Sequence, residues 1–136
     1  MHSESIKNLA KFRLEQAKES LISAEMDLQS ELLRSAANRS YYCIFHSMRG
    51  VLALEGYDSK KHSGIISAFR QKYIKTGIFP TSFSVAIGNA FEVRNNSDYQ
   101  DFYIVIKSDV TEQVKNAKII FEAVAAYIDI QLEENR

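Results

Sequence analysis

Residues 31–56 read ELLRSAANRSYYCIFHSMRGVLALEG. No proline interrupts them, and Leu33, Ala37, Tyr41, Ile44, Met48 and Leu52 recur three and four positions apart. An α-helix turns by about 100° per residue, so this spacing collects the six on one stripe, whereas a strand would alternate every second residue. The stretch predicts a helix over 31–55, begun by Ser30 as a cap and stopped by Gly56 in a left-handed turn.

The same arithmetic extends outward. Upstream, Ile6, Leu9, Ala10, Leu14, Ala17, Leu21, Ala24 and Leu28 predict a helix over 4–28. Downstream, Ile65, Ile66, Phe69 and Tyr73 predict a shorter helix over 62–76, closed by Gly77. Pro80 then opens a fourth helix through Asn95, since a first turn has no use for the missing N–H. A last helix starts at Asp109, which with Glu112 resembles a capping box, and carries Val110, Val114, Ala117, Phe121, Val124 and Ile128 inward. Phe102-Tyr103-Ile104-Val105-Ile106 has the composition of a strand, but no second strand is in view to pair with it, so an extended connector is expected. The fold class is all-α: one domain over 1–136, an up-and-down antiparallel bundle of four to five helices.

Seventeen basic residues balance seventeen acidic ones, so the molecule as a whole has no pull toward phosphate backbones or anionic membranes. Any nucleic-acid contact has to come from a local patch, which argues against DNA-specific binding. No apolar run nears the ~20 residues that span a bilayer, so no membrane association is expected. The start, Met1-His2-Ser3-Glu4, lacks the apolar segment of a secretion signal, and a cytoplasmic protein is expected. The single cysteine, Cys43, sits in an apolar stretch and reads as a buried, inert thiol. The three histidines lack the spacing of a metal site, and there is no Gly-rich phosphate loop, dinucleotide fingerprint or serine elbow; neither metal nor cofactor is expected.

Two helices break their own pattern. On the second, Arg39, Tyr42, His46 and Arg49 step by three, four and three along a face other than the core stripe. Solvent faces are usually richer in Glu and Lys, so this ridge is either a solvated face with snorkelling arginines or a surface for a phosphate with a stacked base. On the fourth, Phe83, Ile87, Ala90 and Phe91 point inward and Arg94 continues their line. A charge ending an apolar stripe needs a partner or an opening. One reading is a structural pair with Asp98 locking the helix end, although Asn95-Asn96-Ser97 is expected to break the helix first. The other is an arginine set by Asp98 to grip a phosphate, with Asn95, Asn96 and Tyr99 nearby. His62, after Lys60 and Lys61 at a helix start, is a weaker candidate for an anion site.

Taken together, Ala36-Ala37-Asn38-Arg39-Ser40-Tyr41-Tyr42-Cys43-Ile44-Phe45-His46, Lys61-His62-Ser63-Gly64 and Phe91-Glu92-Val93-Arg94-Asn95-Asn96-Ser97-Asp98-Tyr99 resemble the HEPN family, in an order and spacing that span most of the chain. The resemblance implies a four-to-five-helix bundle that forms a homodimer, with the polar motifs in a cleft near the subunit interface. It implies a nucleotide or RNA ligand and a minimal nucleotidyltransferase as partner in a two-component, toxin–antitoxin-like module. Many members are metal-independent endoribonucleases using an arginine, a polar residue, three further residues and a histidine; others only bind nucleotides or act as scaffolds. Here Arg94 and Asn95 match the first two motif positions, and Tyr99 stands where the histidine would be. A phenol with a pKa near ~10 is a poor base for a ribose hydroxyl, so cleavage would need His46 or His62 as substitute, or a strongly shifted Tyr99. The tyrosine that accepts a nucleotide in the toxin branch corresponds to Asp101 here, so that modification does not carry over directly. On this reading Arg94, Asn95, Tyr99 and His46 are the catalytic candidates, and Arg39, Tyr42, Arg49, His62 and Asp98 the ligand-binding ones.

Overall fold

In a computed structural model, which describes residues 3–134, the chain forms five α-helices: α1 (Glu4–Gln29), α2 (Leu33–Ala53), α3 (His62–Phe69), α4 (Ser82–Tyr99) and α5 (Lys107–Glu134). A π-helical turn, Arg70–Ile74, extends α3. The expected domain limits of 1–136 include Met1, His2, Asn135 and Arg136, which lie outside the described residues. The all-α bundle holds, and no strand occurs among the described residues.

α2 is the centre of the molecule. α2 packs against α1, α3, α4 and α5, and Tyr41, Ile44, Met48 and Leu52 on its stripe are fully buried. They meet Ala10, Ala17 and Leu21 of α1, Ile65 and Phe69 of α3, Ile87 and Ala90 of α4, and Ile120, Val124 and Ile128 of α5 in one apolar cluster. Side chains of this size stabilise a fold by about 1.5–3 kcal/mol each when withdrawn from water, which is why one central helix can organise four others. Leu9, expected inward, lies at the rim of the α1 stripe and is exposed.

Several boundaries move from their expected places. Ser30 does not begin α2: its N–H bonds back to the Met26 and Leu28 carbonyls, ending α1. Glu31 then takes a φ of 63°, which no right-handed helix includes, so α2 starts only at Leu33 and has no side-chain cap. α2 ends at Ala53, and Gly56 turns the chain at a φ of 70° as expected. α5 begins at Lys107, leaving Asp109 inside its first turn rather than at the cap. α4 starts at Ser82, just beyond Pro80, and runs unbroken through Asn95-Asn96-Ser97 to Tyr99. The cause lies outside the helix: Arg34 of α2 donates from Nη1 to the Ser97 carbonyl at 3.0 Å and from Nη2 to the Tyr103 carbonyl. That guanidinium satisfies a carbonyl of the last turn and pins the connector to α2.

Candidate functional site

The tyrosine pair at the middle of α2 organises the site. Tyr41 is buried in the core, while Tyr42 is half-buried and turns toward α4. His62, the first residue of α3, is clamped onto α2 in two ways. The Tyr41 hydroxyl lies 2.6 Å from His62 Nδ1, and the imidazole stacks on the Phe45 ring at 4.1 Å. Burial drives the Tyr41 phenol well above its ordinary pKa, so it stays protonated and can donate to Nδ1. Burial first, then the charges of Arg94 and Arg49, press the His62 pKa down and favour the neutral ring.

Arg94 arrives from α4 at the same place. Its Nη2 donates to the Tyr42 hydroxyl at 3.1 Å, and its guanidinium carbon stands 5.4 Å and 5.5 Å from the centres of the Tyr41 and Tyr42 rings. Its Nε lies 3.2 Å from an Asp98 oxygen one turn on, but that N–H is not directed at any acceptor, so the contact is an ion pair without a true hydrogen bond. Arg94 is therefore paired with Asp98 and also held against the α2 ridge, with no hydrogen bond from Nη1 among the described residues. Its side chain keeps 17% exposure: the arginine sits at an opening, neither sealed nor free.

The ridge does not act as one surface. Tyr42 joins Arg94, Asp98, Tyr41 and His62. Arg49 is bound by both oxygens of Asp58, Nε at 3.2 Å and Nη2 at 2.9 Å, with its guanidinium carbon 5.8 Å from the centre of the Phe45 ring. Arg39 and His46 instead line a separate groove against Gln16, Glu19, Ser20 and Ser23 of α1. His46 still touches the edge of the first cluster through the Tyr42 ring, 5.8 Å between centres. Asn95 is half-buried and Tyr99 exposed, and among the described residues neither hydrogen-bonds to Arg94.

Sequence reasoning missed two members. Tyr41 belongs by its spacing to the core stripe, yet its hydroxyl reaches His62 in the site. Asp58, from the loop before α3, binds Arg49 and the buried Arg13 of α1, whose Nη2 lies 3.3 Å from it. Arg13 left a readable signal, falling three after Ala10 and four before Ala17 in an otherwise apolar line. Cys43 is buried and its thiol is pushed up to about 12, mainly by desolvation, as an inert thiol should be.

His46 carries a pH dependence. Its Nδ1 is buried without a partner among the described residues, and its pKa falls to about 4, chiefly from burial and then from Arg49, Arg13, His62 and Arg39. The unfolded chain takes up this proton near 6.5 and the folded one only near 4, so folding is fully favoured above pH 7 and loses stability as pH falls from 6.5 to 4. Allowing for partial exposure, the loss is about 2 kcal/mol. Urea titrations across this range should show a shallower acid decline for His46→Gln than for the parent; parallel declines would rule His46 out as the source.

A HEPN domain model matches residues 10–127. The chain is similar to a "UPF0332 protein" of Thermotoga maritima, 30% identical over 113 residues that cover 83% of this chain and 86% of the relative. It is also similar to two Methanocaldococcus jannaschii proteins. One, named "Putative toxin MJ0142", is 32% identical over 79% of this chain and 73% of its own length. The other, named "Putative toxin MJ0605", is 29% identical over 81% and 77%. The match runs from the first helix to the last and takes in Arg94, Tyr42 and His62 alike: the chain belongs to the HEPN domain family.

Proposed function

We propose that this HEPN protein binds a nucleotide or RNA phosphate at Arg94 and forms one half of a toxin–antitoxin-like module whose other half is a minimal nucleotidyltransferase. The observation that carries the binding reading is the posture of the guanidinium. Tyr42 and Asp98 hold two of its nitrogens while Nη1 stays open among the described residues. An arginine oriented in advance loses less freedom on gripping a phosphate. In the neutral chain, Arg94 with Tyr42 and His62 beside it is the local feature to which the charge balance confines a phosphate contact. The relatives' toxin names support the module, and the homodimer is part of the same proposal.

A second reading, a metal-independent endoribonuclease, is favoured by His62. It stands beside Arg94 and, accepting from Tyr41 at Nδ1, carries its ring proton on the other nitrogen, which makes that nitrogen a general-acid candidate where Tyr99 replaces the motif histidine. A third, a structural adaptor, leans on the Arg94–Asp98 pair alone.

Calorimetric titration of the full chain with a nucleoside 5′-monophosphate and with short RNA should give micromolar binding, alone or with a nucleotidyltransferase partner. No heat from folded protein in any combination would remove the binding reading. Expression in growing cells separates the enzyme: growth arrest lost in the Arg94→Ala variant supports cleavage, and normal growth with intact RNA excludes it.

A further inference from the structure

Between α4 and α3 with its π-helical extension lies a cavity of about 670 Å³, a size typical of ligand sites. Its wall carries two cations, Arg70 and Lys75, and no carboxylate. Arg70 takes an apolar residue's place, falling four after Ile66 and four before Ile74, both of which are buried. It is half-buried, makes no ion pair among the described residues, and donates from Nη2 to the Ser84 carbonyl at 2.8 Å. Its Nε is buried with no hydrogen-bond partner among the described residues. A guanidinium drawn out of water on these terms costs stability until an anion joins it. The surroundings are nonetheless shaped to keep it there. The Lys75 N–H donates to the Arg70 carbonyl at 2.8 Å, closing a π turn of the kind that recurs at functional sites. Across from it α4 has Gly88, where a Cβ would stand 3.0 Å from Arg70 Nη2.

At its other end the cavity abuts the Arg94 site. Its lining there includes Ser63, the neighbour of His62, and Phe91, whose ring lies 6.1 Å from that of Tyr41. α3 and α4 run in opposite directions along it. His62 and Arg94 converge on Tyr41 at one end, and Arg70 meets Ser84 at the other. The eight positions from His62 to Arg70 span about 12 Å at the helical rise. Phosphates along one stacked strand advance about 3.4 Å per step, so the two ends lie about three steps apart. We infer that the cavity is a second phosphate subsite, in which Arg70 and Lys75 grip a strand of RNA whose first phosphate is held at Arg94. Between the two, the half-buried Phe91 offers apolar surface to the uncharged part of the strand. A mononucleotide reaches only one end. The inference rests on the reading of Arg94 as a phosphate site and narrows its ligand from nucleotides in general to an oligonucleotide.

Calorimetric titration of the full chain compares nucleoside 5′-monophosphates with a mixed-sequence RNA hexanucleotide. The hexanucleotide is expected to bind about tenfold more tightly, through one further charge-assisted contact. Arg70→Met keeps the length of the side chain without its charge, and should bring the hexanucleotide down to the level of the monophosphate. Arg94→Ala should instead weaken both ligands. For the hexanucleotide, the slope of log affinity against log salt should be shallower by about 0.7 in Arg70→Met, the mark of one phosphate contact on a single strand. Gly88→Ala favours the helix while displacing the tip of Arg70, so it should weaken hexanucleotide binding in a chain that still folds. A hexanucleotide bound no more tightly than a monophosphate, or bound equally by the parent, Arg70→Met and Gly88→Ala, overturns the second subsite and leaves the Arg94 reading standing. A folded parent that binds neither ligand overturns both.

Discussion

An Asp58→Ala chain is expected to lose about 2 kcal/mol of stability, or roughly 6 °C in Tm, a large effect for a loop carboxylate that is half exposed. Exposed ion pairs usually contribute under about 1 kcal/mol, so the expectation rests on what Asp58 neutralises. Its oxygens take Nε and Nη2 of Arg49, Nη2 of Arg13 and the Ser59 amide. Arg13 is buried on α1, its Nη1 donating to the Arg49 carbonyl at 3.0 Å, and burial followed by the Arg49 charge already lowers its pKa against the support of Asp58. Without the carboxylate, two guanidiniums face each other with one of them out of water, the costly half of a broken buried pair. The hydrogen bond from Arg49 is the main reason that the Asp58 pKa is depressed. Its contribution is therefore complete above about pH 4 and vanishes as pH falls through the depressed value, so the loss should be read at pH 7. Arg13→Met, an apolar replacement of similar length, should restore most of the stability in the Asp58→Ala background. Urea unfolding that shows less than about 0.5 kcal/mol between parent and Asp58→Ala would mean that water, not Asp58, balances Arg13.

Asp58 also marks where the sequence stops being readable. The helices could be read because apolar spacing is a local signal: the stripes of α2, α3 and α5 are buried where the three-and-four rule puts them, save Leu33 and Phe121, which are half-buried. Helix ends could not, because partners distant in sequence decide them. Ser30 has the chemistry to cap either neighbour, and the left-handed Glu31 gives it to α1. Asn95-Asn96-Ser97 reads as a break until Arg34, sixty-three positions before Ser97, takes up its carbonyl. The site divides the same way. Arg94 announced itself as a charge on an apolar line, and helical arithmetic found Tyr42. That arithmetic also grouped Arg39, His46 and Arg49 with Tyr42, since it measures angle around α2 and cannot see that α1 and the Asp58 loop draw those residues off to other partners.

Arg94→Ala should weaken phosphate binding about 100-fold while changing stability by less than about 1 kcal/mol. The first figure follows from losing a charge-assisted contact of about 2–3 kcal/mol, tenfold for each 1.4 kcal/mol. The second follows from what the arginine leaves behind. Asp98 has a side chain 38% exposed and can turn to water, and Tyr42 loses a donor but remains only half-buried. If Arg94 served only to lock the end of α4, the two effects would be exchanged: Tm would fall steeply, and binding would fail only where the protein unfolds. Arg94→Lys keeps the charge but not the fork, so it cannot hold Tyr42 and Asp98 while presenting a third nitrogen, and should recover about tenfold of the loss. Tyr42→Phe removes the hydrogen bond that orients the guanidinium while preserving the ring beneath it. A loss of about fivefold is expected there, consistent with a positioning role at the low end of hydrogen-bond energies. Calorimetry paired with thermal unfolding on the same samples reads both quantities. Unchanged affinity in a folded Arg94→Ala protein would leave the pair with Asp98 as the residue's whole purpose.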